Sequence, residues 1–98
     1  MMFAALRKIF TALTRVNPNL EHEVGIIIEA LGGMANIKEI GACATRLRPE
    51  LYDISRLNEK ALKDNGAIGI VHVDSHHVQI IYGLKANSYA QCIEQKLN

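Results

Sequence analysis

"IKEIGACATRLRPELY", residues 37–52, reads as two short strands folded back on each other, and that reading decides the fold. The runs Ile37 to Ala42 and Arg46 to Tyr52 have strand length and flank Cys43, Ala44 and Thr45, which makes a hairpin with a thiol at its apex. Alternate side chains of a strand share a face. Arg46 and Arg48 therefore project together, while Leu47 and Leu51 turn the other way into a core. Pro49 has no N–H to give a ladder, which puts the second strand at a sheet edge or near a bulge.

Downstream, "AIGIVHVD" (67–74) and "HHVQIIYG" (76–83) are two further β-prone runs, expected to pair as a hairpin about Asp74-Ser75. That two-residue turn pairs Val73 with His76 and His72 with His77. It also puts Ile68, Ile70 and Ile81 on the face away from Val71, Val73, Val78 and Ile80, and such an open apolar face suggests contact with another chain. Helices fill the spaces between the hairpins. One runs from about Leu20 to Leu31, buries Leu20, Val24, Ile27, Ile28 and Leu31, and closes on Gly32-Gly33, residues that tolerate the left-handed turn. A short helix follows the cap residue Asn58, with Leu57 and Leu62 placed as a hydrophobic staple, and ends at Gly66. The last, from about Asn87 to Leu97, turns Tyr89, Ile93 and Leu97 inward. Hairpins separated by helices give an α+β, two-layer sandwich: a four-stranded antiparallel sheet with helices on one face.

The first 18 residues differ from the rest. Residues 1–20 hold Arg7, Lys8 and Arg15 and no acid, and Met2, Leu6, Ile9, Phe10 and Leu13 recur at helical spacing. An N-terminal amphipathic helix over a basic arm, residues 1–18, is expected ahead of a domain at 19–98. Its apolar stripe suits packing on its own domain or on a second copy, and residues 1–16 also have the pattern of a membrane-surface contact. Three cations fall short of a firm electrostatic anchor.

The 98 residues, 49% of them apolar and with a net charge of +1, suit one small soluble domain. Two cysteines make no disulfide framework, so Cys43 and Cys92 read as free thiols in a reducing, cytoplasmic setting. No apolar run has the length of a membrane span. The arm carries Phe3 and Phe10 without a stacking platform of interleaved charge, which argues against nucleic acid. His72 and His77 supply two ligands where zinc takes three or four, so no metal is assigned. Cys92, in the last helix without a cation cluster, reads as structural.

Cys43 admits two readings. A free cysteine is commonly a small buried hydrophobe, and two arginines on a strand are commonly a solvated face. The other reading is chemical: a nearby cation favours the thiolate, which is the nucleophilic form. Paired guanidinium groups match phosphate oxygens, and the amides of Ala44 and Thr45, with the Thr45 hydroxyl, could add a phosphate-binding turn.

The segments "ALGGMANI", "GACATRLR", "LKDNGAIGIV" and "VQIIYG" resemble the IIB domain of the glucose/N-acetylglucosamine superfamily of the bacterial sugar phosphotransferase system. The resemblance runs from about Leu20 to the C-terminus. It implies that Cys43 accepts a phosphoryl group from a phosphohistidine of a IIA protein and passes it to a sugar bound by a IIC membrane protein. It also implies that Arg46 and Arg48 assist the transfer to sugar, that Thr45 stands at the family's threonine, and that no cofactor is used. Gly41 stands where family members commonly carry an aspartate. No IIC-like segment accompanies these residues, so the expected carrier acts in trans. The alternative is a regulatory protein-binding module that keeps the fold and responds to phosphorylation without transfer to sugar.

Overall fold

A computed structural model describes residues 18–97; the arm expected over 1–18 lies outside the described residues up to position 17. Helix α1 spans Pro18–Ala30, α2 Glu59–Asp64 and α3 Ala86–Leu97, and the strands are β1 Ile37–Cys43, β2 Arg46–Leu51, β3 Gly69–His72 and β4 Val78–Ile81. All neighbours are antiparallel in the order β1-β2-β4-β3. The α+β reading holds. One face of the sheet carries the core: Ile37, Ile40, Leu47, Leu51, Val78 and Ile80 pack against Val24, Ile27 and Leu31 of α1, Leu62 of α2, and Tyr89 and Ile93 of α3.

Local chemistry accounts for the element ends. The Gly33 N–H bonds to the Ile28 carbonyl at 2.9 Å and the Gly32 N–H to the Glu29 carbonyl at 3.0 Å. With Gly32 at φ 103, this is the glycine C-cap the Gly-Gly pair foreshadows. Asn58 caps α2 through its side chain, which accepts from the Ala61 N–H. In β1 the apolar residues Ile37 and Ile40 are three apart, which would put them on opposite faces of a regular strand. A register shift between Ile37 and Glu39 inserts the extra residue that turns both inward.

One expectation is corrected and another is narrowed. The second hairpin pairs His72 with Val78 and Val71 with Gln79, one residue out of the anticipated register, and the connection is a five-residue loop, 73–77. The cause is Asp74: its carboxylate accepts from the backbone N–H groups of both His76 and His77 at 2.8 Å, so these residues turn rather than extend. Ile70 therefore shares the buried face with Val78 and Ile80, while Val71 and Val73 are exposed. Of the two places expected for Pro49, a sheet edge or near a bulge, the structure has the second, in an inner strand. Pro49 sits opposite Ile40 of β1, beside the β1 bulge, while the β2–β4 ladder pairs only Arg46 with Ile81 and Leu47 with Ile80. Pairing resumes at Glu50 and His77, so the missing N–H is accommodated as a gap in the ladder.

The Asp74 carboxyl is held below the usual aspartate range, first by the His76 amide and then by the His77 side chain. A depressed acid stabilises the fold above its unfolded-state pKa, about 4, and that contribution disappears as pH falls through the lower folded value. Asp74→Ala is expected to speed hydrogen exchange at the His76 and His77 amides near neutral pH. The difference from the parent protein should vanish in acid. Equal exchange rates at neutral pH would show that the loop is held by something else.

Candidate functional site

Residues paired across an antiparallel ladder share a face. Cys43 pairs with Arg46 and Gly41 with Arg48, so the thiol and both guanidinium groups project from the sheet face opposite the core. Leu47, between the arginines, and Pro49, after the second, are buried. The alternation thus sorts cations outward and apolar side chains inward along one six-residue strand.

Cys43, Ala44 and Thr45 are exposed at the closed end of the hairpin, Arg46 is half-buried, and Arg48 is exposed. The turn is pinned from behind. The Tyr82 and Gly83 N–H groups both donate to the Thr45 carbonyl at 3.0 Å, which couples the hairpin apex to the end of β4. Tyr82 is in turn fixed in the core edge-on to Tyr89, with ring centroids 4.9 Å apart. An exposed turn held by buried aromatic residues is accessible to a partner yet defined in position.

The residue that sequence reasoning missed is Gln79 of β4. Its Oε1 accepts from Arg46 Nη1 at 2.8 Å. Across from Arg48, Gly41 contributes no side chain, and a Cβ placed there would meet nothing within 4 Å. A groove of about 760 Å³ opens beside it, bordered by Lys38, Arg48, Glu50 and His77.

The histidines do not converge. His72 Nε2 lies 2.8 Å from Glu59, whereas His77 Nδ1 lies 2.8 Å from Asp74. No group of three or more metal-ligating side chains occurs among the described residues. Cys92 is half-buried in α3 and donates to Glu21 across to α1 at 3.2 Å. Cys43 is thus the thiol that opens to the arginine-bearing face.

Comparison with known proteins bears on this geometry. Residues 26–58, a stretch containing Cys43, Arg46 and Arg48, match the family model "phosphotransferase system, EIIB". The chain is 45% identical over 67 residues, 68% of its length, to the maltose-specific EIICB component of the phosphotransferase system of Escherichia coli (strain K12). It belongs to the EIIB family of the sugar phosphotransferase system. This EIIB chain spans 13% of the length of that relative. Its fold matches the crystal structure of one domain of the phosphotransferase-system IIabc component from Clostridium difficile. That match has a TM-score of 0.65 and 25% identity, and covers 85% of this chain and 87% of the other. EIIB domains are in general phosphotransferases. No helix among the described residues of this one is long and apolar enough to cross a membrane.

Proposed function

We propose that this EIIB chain is an intermediate phosphoryl carrier, with Cys43 as acceptor, Arg46 and Arg48 as charge-stabilising groups, and the Ala44–Thr45 turn beside them as phosphate-binding backbone. Residues 19–98 are the carrier domain and residues 1–18 its basic arm. The observation that carries the reading is the shared face of the Cys43–Arg46 and Gly41–Arg48 pairs.

The chemistry balances in two steps. In the first, the Cys43 thiolate attacks the phosphorus of a IIA phosphohistidine in line. The P–S bond forms as the P–N bond breaks, and the proton lost by the thiol ends on the released imidazole nitrogen. In the second, a hydroxyl of a sugar bound by a IIC protein attacks the same phosphorus. The P–O bond forms as the P–S bond breaks, and the hydroxyl proton is returned to the sulfur. Both transition states spread negative charge over three equatorial oxygens, and planar guanidinium donors match that charge without a metal. Fused IIC and IIB segments, named in the maltose-specific relative, support a IIC partner, and the IIabc component supports a IIA partner.

Incubation with phosphorylated IIA protein should add one phosphoryl group to this chain, read by mass spectrometry; an unchanged mass would overturn the proposal. Arg46→Ala and Arg48→Ala should each slow transfer from the phosphorylated protein to sugar by about 10²–10³-fold, the usual effect of removing one preorganised donor. Stability should change by less than about 0.5–1 kcal/mol, because neither side chain is part of the core. Assay with IIC-containing membranes and sugar separates the two effects. Phosphorylation without onward transfer by the parent protein would instead favour the regulatory module.

A further inference from the structure

Gln79 is the polar member of an otherwise apolar strand, "VQII", and it stands diagonal to Arg46 rather than opposite it, since Arg46 pairs with Ile81. Diagonal neighbours on one face are about 7–8 Å apart, within reach of two long side chains. The 2.8 Å bond from Arg46 Nη1 to Gln79 Oε1 closes that gap. A guanidinium only donates, so it fixes the amide with the oxygen toward Arg46 and the NH2 turned away. The acceptor is also neutral. A carboxylate in its place would cancel the charge of Arg46, whereas an amide restrains the side chain and leaves the whole charge to an incoming phosphoryl group. The side chain of Arg48, next on the same face, makes no hydrogen bond or ion pair with another described residue. The two arginines are therefore mechanically different: the Arg46 side chain is tethered to β4, and that of Arg48 is tethered to none of the described residues.

The geometry points to Gln79 as a positioning residue that holds the Arg46 guanidinium on the Cys43 face for phosphoryl transfer. This inference rests on the carrier reading of Cys43. Gln79→Leu should lower the rate of Cys43 phosphorylation by IIA roughly tenfold, the effect of losing one hydrogen bond to a charged group. Gln79→Glu should lower it further, because the carboxylate both neutralises Arg46 and repels the dianion. Acting through Arg46, the leucine substitution should add nothing in an Arg46→Ala background. A purely structural role would give additive losses that track thermal stability, and that result overturns the proposal, as does a Gln79→Leu rate within about twofold of the parent. Side-chain NMR tests the tether separately from the chemistry. Arg46 guanidinium rotation should be slow in the parent and fast in Gln79→Leu. Fast rotation in both proteins refutes the tether, while a parent that accepts no phosphoryl group but shows the slow rotation refutes the carrier reading and upholds the tether.

Discussion

Replacing Asn36 by leucine should destabilise this small domain by about 3 kcal/mol, read as a lower urea midpoint at an unchanged slope or as a melting temperature reduced by roughly 12–24 °C. Among the described residues Asn36 is the buried polar side chain, 2% exposed. Its Nδ2 donates to the Leu31 carbonyl at 2.7 Å and to the Asp53 carbonyl at 2.9 Å, and its Oδ1 accepts from the Asp53 N–H at 2.9 Å. Leucine is close in size but satisfies none of them, and a backbone group stripped of its partner inside the fold costs more than a bond to water returns. The three bonds join the end of α1, the start of β1 and the segment leaving β2. They clamp the open end of the same hairpin whose closed end carries Cys43. Gly32 is part of this arrangement, since a Cβ there would fall 2.6 Å from Asn36 Nδ2. Asn36→Asp keeps the acceptor but loses both donors, so it should also destabilise. A loss under about 1 kcal/mol for the leucine variant would mean that water or a backbone shift replaces the clamp.

Much of this was legible because it is local. Arg46, Leu47, Arg48 and Leu51 reveal their faces by alternation alone, Gly32-Gly33 ends a helix by conformational freedom, and Asn58 caps one with its own side chain. What escaped depends on contacts distant in sequence or on a side chain competing with the ladder. Asp74 captures two amides and shifts the hairpin by one residue, which exchanges the faces of Val71 and Ile70. Pro49 suggests an edge or a bulge, and choosing between them needs β4, which lies beyond it with a gap in the pairing. Gln79 reads as an ordinary polar strand residue, because its meeting with Arg46 requires the register between β2 and β4, 33 positions apart. Asn36 is invisible for the same reason: in sequence it is one more loop asparagine. The proposed acceptor, Cys43, and the two arginines on its face were thus within reach of a local reading. The groups that hold them in place were not.

Cys43→Ala should reduce phosphoryl acceptance from IIA to background while leaving the melting temperature within a few degrees of the parent, because the side chain removed is exposed and fills no part of the core. The contrast with Asn36 is the point of the experiment, since one substitution should remove chemistry without stability and the other stability at a site remote from the chemistry. Cys43→Ser is the stricter version. A hydroxyl occupies the same place and can bond to the same partners, but it ionises far less readily than a thiol, so the nucleophile is lost while the geometry stays. Two other groups could in principle take the phosphoryl group. Thr45 is exposed in the same turn, and His77 lies four residues before Ile81 on β4, its ring held by Asp74. Neither has the position of Cys43 directly across from Arg46. If the alanine variant still gained one phosphoryl group, locating it on Thr45 or His77 would move the acceptor and leave the paired arginines serving a different nucleophile.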